Sequence, residues 1–349
     1  MKYRLDKNKI IKKREKEIEK LKDINLSGKE LNSVIIDIET YDLILNELFN
    51  QSSNKIQISK DEFIEQACDI SENLLTHIQR LIYKSLFPFL NNLNELNHYN
   101  CDLPKNILTI NDQKELILNN FIIPNKTKNE INKLFNYKYN KLHITHQRNR
   151  NCIYPLFNGE CYLSCTNKND IKGFISLCHE IGHYYEHYYT NNRINKLVFL
   201  QDENIYNYKE VTSIFFELIS IKILIDNNLI NANQVINTLK EIKDDYFSNP
   251  TIWLLFDEIK KTKKLSNKDF NKLKNDYGEL YDATIYSYSY IIAVNLFEQY
   301  LINEKEGFEH LNYIINNILE TNEEYILENC NITYKDTNLF ERHIKRMEK

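Results

Sequence analysis

The chain has 349 residues, of which 42% are hydrophobic and 27% charged, and a formal net charge of -4. That much apolar material excludes a disordered chain, whose mark is low hydrophobicity with high net charge, and the near-neutral balance makes no general case for a nucleic-acid partner. With only 6 Gly and 5 Pro, turn punctuation is too sparse for the many short strands of an all-β sandwich or barrel, so a mainly α-helical chain is expected.

In chain order, residues 1–23 are rich in Lys and Glu and hold no apolar stretch, which argues against a secretory signal. No run approaches the ~18–20 apolar residues needed to cross a bilayer. The 7 Cys are odd in number and form no Cys-x-x-Cys pair, so reduced thiols in a cytoplasmic protein are expected rather than a disulfide framework. Cys161 and Cys165 have no second pair to complete a metal site. Helical periodicity marks residues 7–22, with a thin stripe at Ile11, Ile18 and Leu21, and residues 33–49. A long helix is expected over 61–87, with Ser59 as its N-cap and Pro88 ending it. Two more helices fit 112–121 and 128–137.

The character changes near residue 151. Residues 152–157, the dipeptide Asn158-Gly159 and residues 160–165 read as a β-hairpin, with both turn residues at φ > 0. Pro155 cannot donate to a ladder, so its strand should be an edge. Such an edge either receives an extended peptide as an added strand or merely caps a helical layer. Helices resume at about residue 170. His143 and His146, just before the hairpin, read as polar loop residues or as side chains lining a cleft.

The sharpest feature is His179-Glu180-Ile181-Gly182-His183, inside a helical stretch. Histidines four apart project from one helix face one turn apart, so both imidazoles reach one Zn²⁺ at ~2.0–2.1 Å. Glu180, beside the first, reaches water at that cation as a general base. Chance also produces this short motif, so it needs a third ligand. Glu210 opens an apolar helical run with Ser213 and Glu217 following; a carboxylate there would complete a His₂Glu set with an open fourth position, the pattern of a catalytic zinc. Ser213 is small enough for two helices to approach closely, and Glu217 could hold the free ring N–H of a zinc histidine. His187 continues the stripe but lies roughly 12 Å along the axis from His179, too far to share the cation. Further on, Tyr281 and Tyr288 share a helical face, as do Tyr286 and Tyr290. Phenols there are either donors to a tetrahedral intermediate or ordinary core residues.

Together these segments resemble the thimet oligopeptidase and oligoendopeptidase F family of zinc metallopeptidases. His179 to His183 match its His-Glu-x-Gly-His motif. Glu210, Ser213 and Glu217 match its Glu-x-x-Ser-x-x-x-Glu, and Tyr281-Asp-Ala with Tyr286-Ser-Tyr288 match its tyrosine-rich helix. The match spans roughly residues 151–299. The resemblance implies a helical, two-lobed, zincin-like fold with a small sheet edging a substrate channel. It implies His179, His183 and Glu210 as ligands of one zinc ion per chain, Glu180 as the base, and Tyr281 and Tyr288 as substrate-contacting groups. It implies short peptides as substrates; the charge balance and the lack of a long apolar run lead to the expectation of no nucleic-acid and no membrane partner. A helical N-terminal lobe over 1–149 and a catalytic lobe over 150–349 are expected, or one continuous domain. The chain departs from the pattern where Glu186 stands in place of a frequent His, where residues 276–280 hold no His, and where a Gly-rich loop is reduced to Gly278. Those departures keep a second expectation open, a zinc-bearing peptide-binding protein of weak or no activity.

Overall fold

The first helices are set by their ends as much as by their faces. In a computed structural model of the chain, α1 (Lys7–Lys20) opens on Asp6, whose carboxylate accepts from the Asn8 and Lys9 N–H groups. Helix α2 (Gly28–Phe49) opens on a reciprocal cap: Ser27 N–H and Oγ donate to Glu30, and Glu30 N–H donates back to Ser27 Oγ. This capping box starts α2 ahead of residue 33, where hydrophobic periodicity alone placed it. The same device, Thr109 with Asp112, opens α3 (Ile110–Asn120), and α4 (Asn125–Leu134) follows Pro124. The structure describes residues 3–22, 26–49, 59–61, 64–65, 103–104, 107–146, 151–190, 208, 210–231, 233–235, 238, 261–267, 270, 277–317 and 322–332, with helix but no side chains at 277–285 and 287. The helix expected over 61–87 lies almost wholly outside these residues.

The chain forms two compact units. One comprises Met1–Asn54, Leu103–Asp202 and Ile219–Ile223; the other comprises Lys55–Asp102, Glu203–Leu218 and Leu224–Lys349.

The first unit is built on a three-stranded sheet in the order β1 (Leu142–Thr145), β3 (Cys161–Thr166), β2 (Cys152–Pro155). The hairpin is present, antiparallel, with Tyr154 opposite Tyr162 and Pro155 on an edge strand. Its turn differs from expectation. Leu156 N–H donates to Glu160 O and Gly159 N–H to Leu156 O, so residues 157–159 form a three-residue loop. Only Gly159 has positive φ, at 87°, the left-handed position that such a loop requires. Strand β1 pairs parallel to β3 and was not foreseen, since four residues paired to a distant partner leave no periodic signature. His143 is therefore a strand residue, 6% exposed, whose Nδ1 accepts from Leu5 N–H at 3.2 Å. Burial, with Arg4 nearby, pushes its pKa down to about 4.

Alternation assigns the sheet's two faces. On one, Tyr154, Leu156 and Tyr162 join Leu5, Ile10, Tyr41 and Ile44 from the N-terminal helices in a buried cluster. Each such side chain contributes roughly 1.5–3 kcal/mol of burial. Cys161, Leu163 and Cys165 point to the other face, which α5 (Ile171–Tyr189) covers. Helix α5 is buried almost all round, so it reads as a core element rather than a surface helix. Its start is tightly keyed. Asp170 accepts from Gly173 N–H at 2.8 Å, and Asn167 donates to Gly173 O at 2.8 Å and to Gln113 Oε1 at 2.7 Å. A Cβ on Gly173 would lie 2.5 Å from Asn167 Oδ1, so only glycine fits.

The second unit contains Glu210 and the start of α6 (Val211–Asp226), then α7 (Tyr277–Ile302), α8 (Glu304–Asn317) and α9 (Glu323–Asn329). Phe215, Tyr300 and Phe308 meet edge to face in its core. Among the described residues, no helix is long and apolar enough to cross a membrane.

Candidate metal centre

Helix α5 delivers His179 and His183 one turn apart, as the 3.6-residue period dictates. Their rings meet edge to face with centroids 5.0 Å apart. Glu210 sits just before α6, and its carbonyl accepts from Ile214 N–H at 3.0 Å, closing the helix's first turn. One ligand atom from each of His179, His183 and Glu210 lies within 4.8 Å of the others, the only group of three metal-binding side chains among the described residues. Three points no more than 4.8 Å apart share a centre within about 2.8 Å of each, so movements of under ~1 Å per side chain reach zinc–ligand distances of ~2.0–2.2 Å. Two imidazoles and one carboxylate form a donor set that could hold a metal ion.

Ser213 does more than its size suggests. Its hydroxyl lies 2.8 Å from Glu210 Oε2 and 3.0 Å from Glu210 O, and the residue is fully buried. The Glu-x-x-Ser spacing could have disclosed this, since a residue three on from a helix's opening position turns back toward it. Glu217, two turns from Glu210, is buried at 7% exposure.

Glu180 is 3% exposed and near Cys161 and Cys165 of β3, whose thiols are pushed well above their ordinary range, chiefly by burial and with Glu180 as a further cause. His187 is buried, at 1% exposure, and its Nε2 lies 3.3 Å from Gly159 O in the hairpin turn. His146 Nδ1 lies 2.7 Å from Asn167 O. Tyr288 is fully buried in α7; its hydroxyl donates to the Glu323 carboxylate, and its ring meets Tyr208 edge-on at 5.8 Å. Tyr290 is also buried. The side chain of Tyr281 lies outside the described residues.

No protein-family model matches the chain, and no curated protein matches it. Among solved structures, the chain is similar to a putative oligoendopeptidase F from Bacillus anthracis str. Ames, with a TM-score of 0.52 and 11% identity over 92% of this chain and 63% of that one. A putative peptidase from Chlamydophila abortus gives a TM-score of 0.48 and 12% identity over 91% of this chain and 60% of that chain. PZ peptidase A with inhibitor 2 gives 0.42 and 12% over 92% and 66%. At 11% identity the first likeness is one of fold: a mostly helical chain with a small sheet, arranged as in a peptidase structure. The chain spans 63% of that structure's length.

Proposed function

We propose that the chain is a zinc-dependent endopeptidase that hydrolyses short peptides. The observation that carries this reading is the convergence of His179, His183 and Glu210 in a fold shared with a peptidase structure. A zinc ion held by these three would polarise a scissile carbonyl and lower the pKa of water toward ~7. Glu180, next to His179 on α5, takes a proton from the attacking water and passes it to the leaving amine. Glu210 is kept in place by Ser213. Glu217 lies two turns along α6 and would hold a ring N–H of a ligand histidine. Tyr288 and Tyr281 would donate to the developing oxyanion, for which Tyr288 must first leave Glu323. Among the described residues, β2 is paired on one side only; its outer edge would take the backbone of an extended peptide. The five described cysteines are free thiols, which supports a cytoplasmic location.

The hold of Glu323 on Tyr288 favours a second reading, a zinc-bearing protein that captures peptides and turns them over weakly or not at all. One experiment separates the two. Purified protein with its zinc content measured is incubated with mixed short peptides, with and without chelator, alongside Glu180→Gln. The enzyme reading expects one zinc per chain, chelator-sensitive new termini, and a Gln variant that keeps zinc and cuts nothing. Peptide retention without new termini would sink it in favour of capture, and absence of stoichiometric zinc would remove both.

A further inference from the structure

The hairpin tip is gripped from three sides. Phe157 N–H and Asn158 N–H donate to the two carboxylate oxygens of Asp37 at 2.5 and 3.1 Å. Asp37 comes from the middle of α2 and is 2% exposed. A carboxylate buried there is costly unless it is hydrogen-bonded, and two successive backbone N–H groups in a turn form a concave anion seat. At the far end of the loop, Glu160 accepts from Lys13 Nζ at 2.9 and 2.7 Å and from the Tyr162 hydroxyl at 3.0 Å. On the opposite side of the sheet, His187 Nε2 lies 3.3 Å from Gly159 O. His187 belongs to α5, one turn beyond His183, so the helix that carries two metal ligands also touches the turn joining β2 to β3.

This grip determines what β2 can offer. With Leu156 and Glu160 hydrogen-bonded across the hairpin, the antiparallel alternation turns Tyr154 and Cys152 toward β3. It leaves Ile153 N–H, Ile153 C=O and Pro155 C=O on the outer edge. Pro155 has no N–H, so an added strand finds a complete pair of bonds at Ile153 and a single acceptor at Pro155. So short a row of groups is useful only if it stands at a constant distance from the histidines. Tyr154 adds a tie, its hydroxyl donating to Glu47 of α2 at 2.6 Å.

We propose that Asp37 and His187 are positioning residues that hold the β2–β3 turn, and through it the outer edge of β2, in fixed register with the metal-binding helix α5. The inference rests on the reading above that β2 receives the peptide backbone, and its test is arranged to separate the two.

The variants are Asp37→Ala, Asp37→Asn, His187→Leu and His187→Gln, each compared with the full-length, zinc-loaded chain. Gln places an N–H donor near the position of the imidazole Nε2, and Asn keeps one acceptor oxygen, so both are partial rescues. Amide exchange is read first. Asp37→Ala and His187→Leu should speed exchange in residues 152–163 about tenfold or more, as loss of bonds to a charged or buried partner does. Residues 174–186 of α5 and the zinc content should stay as in the unaltered protein. Peptide kinetics are read second: KM for a fluorogenic octapeptide rises about tenfold in Asp37→Ala and less in Asp37→Asn, with kcat within twofold. Unchanged hairpin exchange overturns the proposal, as does loosening of hairpin and α5 together, or equal loss in kcat without a rise in KM. If the unaltered protein cuts no peptide, the functional reading has failed, and amide exchange alone decides the clamp. If Asp37→Ala does not fold, the His187 pair decides it.

Discussion

Replacing Ser213 with Ala should weaken zinc binding about tenfold while leaving the fold intact. The hydroxyl has one proton and two acceptors, Glu210 Oε2 at 2.8 Å and Glu210 O at 3.0 Å. A hydrogen bond to a charged group contributes roughly 1.5–3 kcal/mol; sharing one proton between two acceptors places this one near the lower figure. At about 1.4 kcal/mol per decade, that is close to a tenfold loss, the low end of the 10–100-fold range typical of groups that orient a metal ligand. The helix should not unravel, because Ile214 N–H still donates to Glu210 O and the removed atom is small. Zinc affinity is measured by competition with a chromophoric chelator, and helix content by circular dichroism on the same samples. Unchanged affinity would show that Ser213 does not organise the ligand, and affinity lost in step with helix content would show a role in folding only.

Three further outcomes follow from the geometry. Gly173→Ala should lower stability by about 1–3 kcal/mol in denaturant titration, as overpacking does, because its Cβ meets Asn167 Oδ1 at 2.5 Å; no change would mean that Asn167 moves freely. Tyr288→Phe should lower kcat by ~10²-fold or more if its hydroxyl serves the reaction, whereas Glu323→Gln should keep kcat within a few-fold; equal kcat in Tyr288→Phe confines the hydroxyl to packing. The pH dependence contains two opposed contributions. Burial raises Asp37 to about 6 against the pull of the Phe157 and Asn158 N–H groups, so its contribution to stability is present below pH ~4 and lost as pH rises through 6. His143 is lowered to about 4 from an ordinary ~6.5, so its contribution is present above pH ~6.5 and lost as pH falls through 4. Asp37→Asn should therefore steepen the rise of stability between pH 4 and 6.5, and replacing His143 with Gln should reverse its sign; parallel curves for both variants and the unaltered protein would refute the opposition.

Much of this protein is legible residue by residue. The scarcity of Gly and Pro excludes an all-β chain, and the helices that apolar spacing placed over 7–22, 112–121 and 128–137 are present as Lys7–Lys20, Ile110–Asn120 and Asn125–Leu134, their bounds shifted by a few residues. The 3.6-residue period alone aligns His179 with His183, and Asn158-Gly159 marks the turn, since only a residue tolerant of positive φ can close it. These are properties of short segments, set by backbone hydrogen bonding and steric limits that act over a few residues. Tertiary structure decided the rest. The parallel pairing of β1 with β3, the seat that Asp37 makes for a turn 120 residues away and the capture of Tyr288 by Glu323 all join segments far apart in the chain. No local pattern encodes such partners, because a buried polar group is satisfied by whichever donor or acceptor the packing of apolar faces brings within reach.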